Sequence, residues 1–353
     1  MEGKYIYGIV SGSNETALDI NGLGNSSRVY TVAYRDLSCV LSDYHDTDFS
    51  CMSKEKIVRS LLRHQVVVEH IMKKHMVLPI KFGTILDTHD EVRNMLYQGY
   101  SRFMDALASI RDKVEVEVAA TWDTAQVLQE ISKEKDIVSA KEAIASKPAQ
   151  QDPRERILLG QMVKASMDRR RDSYRERMIG ILKTMAVDVQ PNALVSDQMV
   201  MNVAFLVEKA NQEQFDRSVR LLNDLFRDEV NFRIIGPLPP YSFAMVEVTK
   251  PSLEKLREAR QLLQLGETSS EPDIRKTYRQ LAAETHPDCK PGDELARKRF
   301  AEVRQASELL IAYCRGRAES GDNLLINIKR LRDEDVAHLR FAEGAGVAGA
   351  VNG

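Results

Sequence analysis

Apolar residues run or alternate along YIYGIV (5–10), RVYTVAY (28–34) and LSCVLSDY (37–44). These stretches are rich in β-branched and aromatic side chains, so each predicts a strand. The loop NGLGNSS (21–27) between the first two supplies the Gly and Asn that turns use. From Ser53 the period changes. Ser53 can cap a helix with Glu55 in its first turn, and Ile57, Leu61, Leu62, Val66 and Ile71 mark an apolar stripe along it. MVLPIKFGTIL (76–86) then reads as a strand, residues 89–110 as a helix, and VEVEVAATW (114–122) as a clean alternating strand. The order β-β-β-α-β-α-β predicts a mainly antiparallel sheet with both helices on one face, a ferredoxin-like α+β domain over residues 1–123.

Residues 124–190 are charged and helical in pattern, which predicts a helical hairpin. Its two helices part near KPAQQDP (147–153), where Asp152 can cap and Pro153 suits a first helical turn. The basic run RRRDSYRERM (169–178) reads as a solvated helix face with Arg–Glu and Arg–Asp neighbours in preference to a docking surface. Residues 191–255 predict a second, small α+β domain. MVMNVAFLV, NFRII and AMVEV supply its strands, and a helix buries Phe215, Val219, Leu222, Leu225 and Phe226. GPLPPYSF (236–243) joins the last two strands. Three prolines in four residues remove three backbone donors, so this connection belongs at a sheet edge.

Residues 256–315 change character and read as helix, break, helix, loop, helix. Ser269 or Ser270 caps the second helix, with Asp273 in its first turn. That helix buries Ile274, Tyr278 and Leu281, and the third buries Phe300, Val303, Ala306 and Leu310. The tail, 316–353, holds one possible short strand or helix, LLINIKRL (324–331). It ends in a Gly/Ala-rich stretch expected to be loosely packed or disordered.

At 353 residues, two to three domains are expected. Fifty basic against 52 acidic side chains give no global attraction to nucleic acid or anionic lipid. Cys39, Cys51, Cys289 and Cys314 form no CxxC or CxxH spacing and read as reduced thiols of a cytoplasmic protein. No apolar run approaches the ~20 residues that span a bilayer, and no leader pattern opens the chain.

Candidate chemistry is sparse. His64, His70 and His75 are spaced by six and five, which does not place imidazoles on one helix face, so no metal site is expected and they read as exposed or half-buried. There is no phosphate-loop motif and no cofactor signature. In LPIKFGT (78–84), Lys81 is expected on the strand face opposite Ile80 and Phe82, while Gly83 permits close backbone approach.

LPIKFGT and GPLPPYSF, taken in order with the opening YIYGIV strand and the WD-containing strand end, make residues 4–248 resemble the GvpL/GvpF family of gas vesicle proteins. The residues carrying the match are Leu78, Pro79, Lys81, Phe82 and Gly83, then Gly236, Pro237, Pro239, Pro240, Tyr241, Ser242 and Phe243. The resemblance implies a non-catalytic accessory protein at the gas vesicle. Its partners would be the hydrophobic shell protein GvpA and other gas vesicle accessory proteins. LGETSSEPDIRKTYRQLA, the tripeptide His286-Pro287-Asp288 and KRFAEVRQASELL make residues 261–314 resemble a J-domain. That implies contact of His286, Pro287 and Asp288 with an Hsp70-type ATPase. Glu284 and Thr285 stand where J-domains usually carry basic or aromatic residues, and residues 271–300 hold seven basic against six acidic side chains, so the basic face is thin.

Overall fold

The computed structural model describes residues 3–13, 15–23, 28–45, 49–146, 153–226, 229–250, 253–266, 269–285, 294–320 and 324–329. They form two compact units, one from residues 1–109 and 244–329 and one centred on 110–243.

The first unit opens with β1 (Gly3–Ser11), β2 (Ala17–Asn21), β3 (Arg28–Tyr34), β4 (Leu37–Tyr44), α1 (Lys54–Met72), β5 (Val77–Pro79), β6 (Ile85–Leu86) and α2 (His89–Ser109). The sheet order is β2-β3-β4-β1-β5, with β6 also on β1, and these pairs are antiparallel. β1 is buried at every position from Tyr5 to Val10. The reason is that the helices cover opposite faces, and not one face as the pattern suggested. Tyr5 and its cross-strand neighbour Ser42 share the face that meets α1, through Tyr5 Oη to His64 Nδ1 at 2.8 Å. Leu41 and its neighbours Ile6 and Tyr30 lie on the other face, where Tyr30 Oη meets His89 Nε2 of α2 at 2.9 Å.

Ser53 caps α1 as expected, accepting from Lys56 N–H. The buried stripe is rotated from the predicted one. Leu61, His64, Val67, Val68 and Ile71 face the core, while Leu62 and Val66 are exposed. The segment 76–86 is not one strand. A turn at Lys81–Thr84 splits it into β5 and β6, both laid along β1.

The second unit contains β7 (Lys113–Thr121), α3 (Thr124–Ile131), α4 (Lys135–Ala145), α5 (Pro153–Leu182), β8 (Asp188–Pro191), β9 (Met199–Glu208), α6 (Gln212–Leu225) and β10 (Asn231–Leu238), with sheet order β10-β7-β9-β8. β7, read above as the last strand of the N-terminal sheet, pairs along its whole length with β9 instead. Alternation identifies a strand but not its partners, so the boundary at residue 123 moves back to 109–110. Phe215, Val219, Leu222 and Phe226 of the α6 region pack on this sheet, whereas Leu225 is exposed.

The passage from α3 into α4 lies along α5, where Glu130 pairs with Arg170 and Glu134 accepts from Ser166 Oγ–H (2.7 and 2.8 Å). Among the described residues the helical section has three α-helices, α3, α4 and α5, where the pattern predicts two. Asp152 lies outside the described residues. The arginine run is largely consumed internally. Arg171 pairs with Asp168 at 2.9 Å and covers the Trp122 ring, Arg175 pairs with Asp172 at 2.8 Å, and Arg177 lies over Phe226.

The chain returns to the first unit with β11 (Met245–Thr249), α7 (Leu253–Leu262), α8 (Glu271–Thr285), α9 (Glu294–Ser320) and β12 (Leu325–Lys329). Leu256, Leu263, Ile274, Val303 and Leu310 form the core of the three helices. At the start of α8, Asp273 accepts from Ser270 N–H (3.0 Å) and Oγ–H (2.5 Å), which holds the Asp273 carboxyl below its usual pKa. β11 was expected beside β10. It pairs instead with β12, so the chain closes the helical segment with a strand on each side. The Gly/Ala-rich end lies outside the described residues.

Candidate functional site

Leu78 and Pro79 are strand residues of β5, opposite Ile9 and Gly8. Ile80 N–H donates to Tyr7 O at 3.1 Å, and Lys81 N–H donates to Val246 O at 2.8 Å. Ile80 also forms an isolated parallel bridge with Val246, which sets the two-stranded β11–β12 sheet beside the end of β5. Lys81 Nζ reaches Glu247 at 2.8 Å, and Glu247 also binds Lys329. Burial works to raise the Glu247 pKa, and the hydrogen bonds from Lys329 and Lys81 more than offset it, leaving it lowered. Lys81 therefore faces a carboxylate and is not a simple solvent-facing side chain.

The turn then folds inward. Phe82 meets the rings of Phe49 (4.9 Å), His64 (5.8 Å) and Tyr5 (6.3 Å). Gly83 has φ +86 and sends its N–H to Tyr5 Oη at 3.2 Å. Thr84 Oγ–H donates to Lys81 O at 2.7 Å and closes the turn. His64 is fully enclosed in this cluster, and burial holds its pKa down to about 3. Histidine spacing alone gave no sign of that enclosure.

GPLPPYSF begins in the edge strand β10 and leaves it. Gly236 has φ +151, and a Cβ there would stand 3.0 Å from Glu115 O on β7. The Gly236–Pro237 peptide is cis. Pro239 and Pro240 are buried, and Tyr241 N–H and Phe243 N–H return to Pro239 O (2.7 Å) and Pro240 O (3.1 Å). Ser242 donates twice to Glu115, through N–H at 2.8 Å and Oγ–H at 2.6 Å. Glu115 is 1% exposed, and Phe243 packs with Ala204 and Leu206. This carboxylate is the residue the sequence reading missed. Its only local mark is a Glu in an alternating strand.

His286, Pro287 and Asp288 lie outside the described residues. Among the described residues no group of three His, Cys, Asp or Glu side chains is placed to hold a metal ion. No described helix is long and apolar enough to cross a membrane.

The two motif loops thus anchor backbone and join strands in an α+β protein whose last three helices lie between the paired strands β11 and β12. Residues 3–245 match the family Gas vesicle synthesis protein GvpL/GvpF. Residues 260–314 match the DnaJ domain. The chain belongs to the GvpL/GvpF gas vesicle synthesis proteins and carries a DnaJ domain after the family region. Gas vesicle protein F of Haloferax mediterranei is 23% identical over 250 residues, 70% of this chain and 95% of that protein. Gas vesicle protein F of a Nostoc species is 23% identical over 248 residues, 69% of this chain and 98% of that one. The DnaJ-related protein spj1 of Schizosaccharomyces pombe is 45% identical over 51 residues, 14% of this chain and 13% of its own. The fold resembles the crystal structure of GvpF from an Anabaena species, with TM-score 0.61, 23% identity, and coverage of 69% of this chain and 98% of that one.

Proposed function

We propose that this chain is a non-catalytic gas vesicle assembly factor. In this reading it binds the hydrophobic shell subunit GvpA in the cytoplasm, limits that subunit's aggregation and helps nucleate the vesicle. The observation that supports it is the family match over residues 3–245, which includes both motif loops. A protein that holds a strongly apolar client needs exposed apolar surface or open sheet edges. In the second unit Leu221 (67% exposed), Leu225 and Ile234 offer such surface. Co-expression with GvpA tests the reading. The shell protein is expected to co-purify with the full chain and to remain bound after deletion of residues 261–314. Absence of co-purification with the full chain overturns it.

The DnaJ match supports a second role, recruitment of an Hsp70 through His286, Pro287 and Asp288. Asp288 would accept from a partner arginine while Pro287 stiffens the loop. The full chain is then expected to stimulate Hsp70 ATP hydrolysis, and His286→Gln to abolish the stimulation. A chain that stimulates nothing removes this role and leaves the first untouched.

A further inference from the structure

β11 is flanked on both sides. On one side lie Ile80 and Lys81 of the LPIKFGT loop, and on the other lies β12, in register from Met245 opposite Lys329 to Thr249 opposite Leu325. β12 sits in this position as a bound peptide would. Leu325 and Ile326 are buried, Asn327 and Lys329 are exposed, and Lys329 meets Glu247. Glu247 is thereby shared between one lysine of the body and one of the entering strand. From α2, Arg102 donates to the Ile326 carbonyl at 2.9 Å. Buried side-chain positions, a charge partner and a backbone clamp are thus assembled along one edge.

The family match ends at Met245, where β11 begins. The 248 aligned residues take up 98% of the Nostoc relative, so the remainder of that protein is too short to hold α7–α9 and β12. The helices that separate β12 from β11 therefore belong to what this chain adds, and β12 follows them.

We propose that the edge of β11 is an acceptor site for an extended peptide segment of another protein, and that β12 fills it in cis as a built-in competitor. The segment recognised carries two successive apolar residues and, further along, a cation for Glu247, as Leu325, Ile326 and Lys329 do. In strand addition the main-chain hydrogen bonds supply affinity and the side-chain positions supply selectivity. A tethered competitor acts at millimolar effective concentration, so it weakens a micromolar segment on the order of 10²–10³-fold. The proposal does not depend on the identity of the shell client.

The test uses the full chain and a fluorescent peptide of residues 322–331, read by anisotropy. Ile326→Asp, which places a charge in a buried position of β12, is expected to bind the peptide at least tenfold more tightly than the unaltered chain. Adding Glu247→Lys is expected to abolish that binding and to favour a peptide carrying Lys329→Glu. Equal binding by the unaltered chain and Ile326→Asp overturns the proposal, as does binding indifferent to Glu247→Lys. Should Ile326→Asp fail to fold, the milder Leu325→Ala/Ile326→Ala chain must still bind the peptide more tightly than the unaltered one. If it does not, β12 is a structural strand only.

Discussion

His64 lies between Tyr5, Tyr7 and Phe82, with its pKa held near 3 by burial. In the unfolded chain it titrates near 6.5. Its folded pKa is the lower one, so the unfolded state binds the proton first and stability falls as pH drops below about 6.5. Between pH 7 and 5.5 this one group is expected to remove about 1 kcal/mol. That window lies above the range of the lowered carboxyl Glu247. Urea midpoints at the two pH values check it, and the pH-dependent loss should shrink by that amount in a folded His64→Gln chain. The sequence could not show this enclosure, because an apolar-periodicity reading gives histidine no weight. The apolar stripe in the sequence therefore runs through Leu62 and Val66, which are exposed, and passes over the neighbouring His64 and Val67.

At the scale of elements, local signals served well wherever the cause was local. Ser53 marks the start of α1, Ser270 with Asp273 marks that of α8, and apolar spacing places α2 close to its observed bounds. Partner choice between strands has no such signal. β7 was legible as a strand but not as a partner of β9, and β11 was not legible as a partner of a strand about 80 residues further on. The proline-rich loop that follows β10 is tied to β7 by the same kind of distant contact, Ser242 to Glu115. Ser242→Ala removes the Oγ donor from a buried carboxylate and is expected to cost about 2 kcal/mol. Glu115→Ala leaves both Ser242 donors without their acceptor and should cost at least as much. Both would appear as lowered urea midpoints. A change under ~0.5 kcal/mol for both would mean that the proline-rich loop is held by its packing alone.

For the whole molecule, the α+β class and the added DnaJ domain were legible in the sequence, because two motif loops and a helical triplet each carry their own pattern. The way the last domain is attached was not legible, since five residues of LLINIKRL decide it from beyond the domain's end. A domain hung on a linker leaves when the linker is cut. Here a protease site engineered at residues 267–268 would break the covalent chain between α7 and α8. The pieces would still share the helical core and the β11–β12 pairing. The cleaved protein is therefore expected to migrate as one species under native conditions and as two fragments in denaturant. Separation under native conditions would show that these contacts do not outlast the peptide bond. For anyone dividing this chain into parts, the DnaJ region behaves as a buckle fastened at both ends, and the useful cuts lie inside it.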